Sequence, residues 1–135
     1  MSSHPIDHIA IATPSIREAA PLFELLTGHA CSPVEELPEQ GVRVAFIGSL
    51  ELIEPLDPGS GVARFLERQG QGLHHIAFRV PDIAAELARL EAEGFRLIDR
   101  EARPGAGGHR VAFLHPKSTG GVLWELVEHP VSGPR

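Results

Sequence analysis

An internal repeat constrains this chain more than any other feature. Asp7-His8-Ile9-Ala10-Ile11-Ala12-Thr13-Pro14-Ser15-Ile16 returns 67 positions later as His74-His75-Ile76-Ala77-Phe78-Arg79-Val80-Pro81-Asp82-Ile83. A second echo closes each half, where Leu50-Glu51-Leu52-Ile53-Glu54 matches Trp124-Glu125-Leu126-Val127-Glu128. A period this long is outside the range of solenoid repeats and implies two duplicated modules. Each module opens with a histidine, His8 or His75, at the head of an apolar run. Each closes with a glutamate, Glu51 or Glu125, inside another.

The pattern between these marks predicts a βαβββ module. Residues 7–13 alternate and are rich in isoleucine, as a strand requires. Ser15 and Glu18 have the spacing of a capping box, and Ala19, Leu22, Phe23 and Leu26 form one helical stripe that Gly28 is placed to end. A weaker strand is expected over 29–35, and a meander over 42–47 and 50–54 turning at Gly48-Ser49. After a linker over 58–72 with a short helix near Val62–Glu67, the pattern restarts. A strand over 75–80 leads to Asp82 as N-cap of a helix running to Gly94, then to strands near 95–100, 110–114 and 121–127. Arg103-Pro104-Gly105-Ala106-Gly107-Gly108-His109 reads as a flexible loop placed to act as a lid or hinge, and the tail after His129 is expected to fray. The expected fold is therefore α+β: two tandem βαβββ modules, about 5–57 and 73–130, whose sheets form an open barrel-like cup around a metal site, all within one domain over 1–135.

A length of 135 residues suits one such domain. No run approaches the ~18 apolar residues of a membrane span and no leader precedes the first strand, so a cytoplasmic protein with no membrane partner is expected. Twelve basic against 18 acidic residues argue against nucleic acid as a partner. The single cysteine, Cys31, excludes an intrachain disulfide and reads as a packing residue rather than a nucleophile. Eleven of the 12 cations are arginine; the one lysine, Lys117, lies in the loop His115-Pro116-Lys117-Ser118-Thr119-Gly120-Gly121. A solvated loop charge is the plain reading, and a point contact to phosphate or carboxylate is the sharper one.

The four repeated residues point to metal chemistry. A single histidine opening a strand is ordinarily a hydrogen-bonded structural residue, and a glutamate in a strand ordinarily faces water, as Glu54 and Glu128 are expected to do. Glu51 and Glu54 lie three positions apart, however, so on a regular strand they face opposite sides. One of each pair must then look inward, where a carboxylate is costly unless neutralised or coordinated. Two histidines and two glutamates at equivalent positions favour a divalent-metal site built from His8, Glu51, His75 and Glu125. Imidazole and carboxylate donors suit Co²⁺, Ni²⁺, Mn²⁺ or Zn²⁺ over Ca²⁺ or Mg²⁺, with Co²⁺ the expected ion, and four ligands leave two octahedral positions open for substrate oxygens. His74 alternates to the opposite face and reads as structural. His109 and His115, in or beside loops, are weaker candidates.

The paired βαβββ modules resemble the vicinal oxygen chelate superfamily, which includes glyoxalase I. Within it the chain resembles the methylmalonyl-CoA epimerase family over almost its whole length. The stretches that carry this are Asp7 to Ala12, Leu37-Pro38-Glu39-Gln40-Gly41-Val42, Leu73-His74-His75-Ile76-Ala77, Gly105 to Gly108, and His115-Pro116-Lys117 with Gly120 to Leu126. The resemblance places the family's metal ligands on His8, Glu51, His75 and Glu125. It implies an acyl-CoA substrate and epimerisation of methylmalonyl-CoA through an enolate, with a thioester oxygen and the malonyl carboxylate on the open positions. Some members carry a base on the strand after Gly-Val; here that position is Val44, which cannot serve as one. The expected bases are Glu125 and, after it, Glu51. Lys117 and Arg110 are the expected contacts to substrate anions, and a homodimer is the expected assembly. The alternatives are a glyoxalase I-type lyase acting on a glutathione hemithioacetal, and a non-catalytic drug-binding protein, which would need no such ligand set.

Overall fold

In a computed structural model, residues 4–130 are described. The elements run β1 (Ile6–Ala12), α1 (Ile16–Thr27), β2 (Glu35–Leu37), β3 (Val42–Ile47), β4 (Leu50–Pro55), α2 (Gly61–Gln69), β5 (Gly72–Arg79), α3 (Ile83–Ala92), β6 (Arg103–Pro104), β7 (Arg110–Leu114) and β8 (Trp124–Glu128). The order βαβββ occurs twice with α2 between the copies, so the fold is α+β, as expected. By its contacts the chain divides into two compact units: His8–His74, and, among the described residues, those up to Asp7 together with those from His75 on. The tail expected to fray lies, from residue 131, outside the described residues.

In the first unit the strands lie in the order β2-β3-β4-β1. β3 and β4 form an antiparallel hairpin in which Phe46 faces Glu51, while β1 runs parallel to β4 with Ala10 beside Glu51. α1 covers one face of this sheet. Ile16 and Ala20 pack there on Ala45, Ile47 and Leu52, with Ile11 and Phe23 at the margin. Burial of this kind is worth about 1.5–3 kcal/mol for each large aliphatic side chain. The helix starts where Ser15 Oγ accepts the N–H of Glu18 at 3.2 Å, and it ends at Gly28, whose φ of 76° is open to glycine at little cost. α2 starts at Ser60, whose Oγ accepts the N–H of Ala63, and its Phe65 meets the ring of His74 edge-on at 5.0 Å. His74 is thus a packing residue, as its alternation implies.

The second unit repeats the plan in the strand order β5-β8-β7-β6. β5 and β8 are parallel with Ala77 beside Glu125, and β7 and β8 are antiparallel with Phe113 facing Glu125. α3, capped by Asp82 on the N–H of Ala85, buries Ile83 and Leu87 against Val80, Ala112, Leu114 and Leu126. The two-residue turn between β3 and β4 has become the loop 115–123 between β7 and β8. That insertion explains why the echo of His8 in His75 is offset by 67 positions and that of Glu51 in Glu125 by 74.

Three local expectations need correction. No strand forms over 29–34; β2 starts only at Glu35. Likewise 95–100 contributes an isolated bridge from Leu97 to Leu114 rather than a strand. In both segments a side chain takes the place of a backbone acceptor. Ser32 Oγ accepts the N–H of Phe46 at 2.8 Å, and Asp99 Oδ2 accepts the N–H of Phe113 at 2.9 Å. A ladder closed through side chains satisfies the neighbouring strand without extended pairing. Third, the segment 103–109 is built rather than open. Arg103 and Pro104 pair with β7, residues Ala106–Gly108 form a 3₁₀ turn, and the N–H of Gly105 donates to the carbonyl of His109 at 2.9 Å. Gly105 is fixed by close approach, since a Cβ there would lie 2.7 Å from Val111 Cγ1.

Candidate functional site

Alternation along paired strands decides which side chains share a face. Directly opposed residues point the same way, and residues two apart on one strand do too. In the first unit Glu51 therefore shares the face away from α1 with Phe46, Ala10 and His8. His8 Nε2 lies 3.3 Å from Glu51 Oε1, and both residues are buried. In the second unit the same rule puts Glu125, Phe113, Ala77 and His75 on one face. His75 Nε2 lies 3.2 Å from Glu125 Oε1, again buried. Each imidazole is met edge-on by the equivalent phenylalanine: His8 by Phe46 at 5.6 Å and His75 by Phe113 at 5.2 Å.

These donor pairs fit a divalent ion. Two ligands bonded at about 2.0–2.2 Å lie about 2.8–3.1 Å apart on an octahedral edge and about 3.3–3.6 Å apart on a tetrahedral one, so about 2.8–3.6 Å spans both. Each observed separation falls in that interval. A neutral imidazole nitrogen and a carboxylate oxygen are also the donor types that divalent transition metals accept. Each half thus offers one nitrogen and one oxygen already at ligand spacing, shielded from water, where a charge on the ion would offset the cost of burying the carboxylate.

The other glutamate of each pair does not face water. Glu54 Oε1 accepts the N–H of Ile16 at 2.8 Å, and Glu128 Oε1 accepts the N–H of Ile83 at the same distance. Three positions from the buried glutamate, each lies on the helix side of its sheet and satisfies an orphan donor in the first turn of α1 or α3. The positive end of the helix dipole favours its charge there. Glu54 also holds Arg43 at 2.9 Å.

The remaining candidates are dispersed. Lys117 is exposed on the 3₁₀ turn Pro116–Ser118 of the inserted loop, its N–H donating to His115 Nδ1 at 3.0 Å. Arg110 is exposed at the start of β7; alternation puts it with Ala112 and Leu114 on the α3 side. Arg103 is engaged by Asp99 at 3.5 Å and lies over the Phe113 ring, 5.7 Å from its centroid. His109 stacks on His129 with centroids 3.9 Å apart. Val44 is buried on the face that Ile53 and Glu51 share, and it brings no titratable group there. Burial, and then the nearby charge of Glu24, push the Cys31 thiol up, so little thiolate forms at neutral pH. Sequence reasoning missed Phe46, Phe113, Ser32 and Asp99. Phe46 recurs as Phe113 at the 67-residue offset, whereas Ser32 and Asp99 share the offset but not the residue type.

Two βαβββ modules, each burying a histidine and a glutamate at metal-ligand spacing, define a class of α+β fold suited to hold a divalent ion. The chain belongs to the glyoxalase/bleomycin resistance protein/dioxygenase superfamily, whose sequence model matches residues 7–113. Among its relatives, the uncharacterized protein YqjC of Bacillus subtilis is 48% identical over 127 residues, covering 91% of each chain. The mitochondrial methylmalonyl-CoA epimerase of Homo sapiens is 39% identical over 126 residues, covering 90% of this chain and 72% of the human one. A variant of Streptomyces coelicolor methylmalonyl-CoA epimerase, solved with 2-nitronate-propionyl-CoA, superposes with a TM-score of 0.90 at 37% identity, covering 98% of this chain and all of that one.

Proposed function

We propose that this chain is a metal-dependent methylmalonyl-CoA epimerase, an isomerase interconverting the (R) and (S) forms through an enolate. The observation that carries this reading is the buried His–Glu pair repeated in both halves of a chain that resembles such epimerases over nearly its full length. His8, Glu51, His75 and Glu125 would hold one divalent ion together, with Co²⁺ the first choice and Ni²⁺, Mn²⁺ or Zn²⁺ next. When bound, that ion supplies Lewis acidity toward the charge that develops as the C2 proton leaves.

The chain's own residues do the rest. Glu125 serves as the base that takes the C2 proton, with Glu51 as the second candidate, and a second group or water returns a proton to the opposite face. Epimerisation needs access from both faces, and equivalent carboxylates from two modules suit that need. Val44 supplies no proton, so this chain depends on the buried glutamates. The apolar walls around each pair keep water from the carbanion-like centre. Lys117 serves the anionic part of the acyl-CoA, and Arg110 is the second candidate for its outlying phosphates.

We further propose that residues 1–135 act as one domain, in the cytoplasm, as a homodimer. The exposed Leu22, Leu25 and Leu26 of α1 support self-association, since contiguous apolar surface rarely stays bare. Among the described residues no helix is long and apolar enough to cross a membrane.

Incubating (R)-methylmalonyl-CoA with metal-loaded protein in heavy water tests the activity. Deuterium should enter C2 as the (S) form accumulates. Lactoylglutathione from methylglyoxal and glutathione, with no exchange at C2, would replace this reading with the lyase. Binding of the thioester with neither reaction would leave a non-catalytic binder.

A further inference from the structure

Each metal-competent pair stands against a phenylalanine ring. In the second unit Phe113 touches that pair twice. Its ring meets His75 edge-on at 5.2 Å, and its backbone stands directly opposite Glu125 in the β7–β8 register. The backbone of Phe113 is in turn gripped from outside the sheet. Its N–H donates to Asp99 Oδ2 at 2.9 Å, while its carbonyl accepts the N–H of Ile98 at 3.0 Å. The other oxygen of Asp99 faces the Arg103 guanidinium at 3.5 Å, and that guanidinium lies over the Phe113 ring. One carboxylate therefore fixes both the main chain of Phe113 and the cation that covers its side chain.

The first unit carries the same device in neutral form. Ser32 Oγ accepts the N–H of Phe46, Ser32 N–H donates to the Phe46 carbonyl at 2.8 Å, and Phe46 faces Glu51 while its ring meets His8. Ser32 and Asp99 are equivalent in the repeat, 67 positions apart, as are Phe46 and Phe113. Two unlike side chains thus make the same bond to the same backbone atom, next to the same imidazole. In both halves the strand pairing left missing is thus satisfied at the phenylalanine beside the histidine.

We propose that Asp99, acting through Phe113 and steadied by Arg103, is a positioning residue for His75 and Glu125, and that Ser32 does the same through Phe46 for His8 and Glu51. The clamp holds each imidazole at the angle from which Nε2 and the glutamate oxygen face one ion. Groups bonded directly to metal ligands typically tune metal affinity by ten- to hundredfold, and a clamp one contact further out belongs at the lower end of that range. The inference rests on the metal reading proposed above for its functional consequence, but the positioning itself is measurable without metal.

The test compares Asp99→Ala, which removes the acceptor, with Asp99→Ser, which installs the other half's solution, and with Ser32→Ala. In the intact metal-free protein, the ¹H–¹³C signals of the His75 ring report its place against Phe113. They should move in Asp99→Ala and return close to the wild-type position in Asp99→Ser. Titration with Co²⁺ should then show affinity about tenfold or more weaker in Asp99→Ala, largely restored in Asp99→Ser, with Ser32→Ala shifting the His8 signals instead. His75 signals unchanged in a folded Asp99→Ala protein would overturn the clamp. So would equal losses in the alanine and serine variants, which would mark Asp99 as a merely structural ion-pair partner. If the wild-type protein takes up no Co²⁺ while the imidazole signals respond as expected, the metal reading fails and the positioning stands.

Discussion

The two halves of the molecule are most alike where the buried pairs sit and least alike at the ends of the hairpins beside them. In both, a histidine four residues from the end of a seven- or eight-residue strand faces a glutamate at the second position of the module's last strand, with a phenylalanine opposite. In both, the glutamate three residues further on caps the helix behind the sheet. The hairpin turn, by contrast, is two residues in the first half and the loop 115–123 in the second, and it is there that Lys117 stands. The clamp residue is neutral in one half and charged in the other. Duplication with this distribution of change is what a shared ion and an asymmetric substrate would together require. On the reading proposed above, each half would offer one equivalent donor pair, whereas a substrate with a single anionic tail would need only one loop to meet it.

The largest expected effect is on metal binding, in which the two halves should be equal. His8→Ala and His75→Ala should each abolish tight metal binding and C2 exchange while circular dichroism stays that of a folded protein. Full metal stoichiometry in either variant would mean that its half does not contribute. The next largest effect separates the two glutamates. Glu125→Gln keeps an oxygen donor and removes the base, so turnover should fall by about 10²–10⁴ with metal retained. If instead the variant turns over near normally and Glu51→Gln does not, the base lies in the first half.

Smaller effects sharpen the contrast between the hairpin ends. Lys117→Ala should weaken substrate binding by about 1–2 kcal/mol, roughly five- to thirtyfold in KM, with a loss that shrinks as salt rises. A truncated thioester lacking the nucleotide shows which anion the lysine serves. Equal penalties on short and full substrates place it near the malonyl carboxylate, and no penalty on either marks it as an ordinary loop charge. The smallest effects probe the caps. Glu54→Ala and Glu128→Ala should each cost about 1 kcal/mol of stability, seen as a modest drop in the thermal midpoint with C2 exchange retained. Unequal costs would show that the Arg43 contact of Glu54 adds to its capping role.

Much of this was legible in the residues taken one after another. The alternation of β1 and β5, the caps Ser15 and Asp82 and the stop at Gly28 are local patterns, and the recurrence of His8 and Glu51 in His75 and Glu125 is a comparison of two such local stretches. Their period follows directly from backbone geometry. Tertiary structure decided what those patterns could not reach. Glu54 and Glu128 look like water-facing strand residues until the helix that starts 38 residues earlier for one, and 45 for the other, is laid over them. The segments near 30 and 97 look like strands because their apolar content is strand-like. They are not, since Ser32 and Asp99 reach across 14 residues to bond the backbone of Phe46 and Phe113. A side chain that substitutes for a backbone acceptor leaves no periodic trace. Only when distant strands are brought to hydrogen-bonding distance does the orphan N–H it serves come into existence.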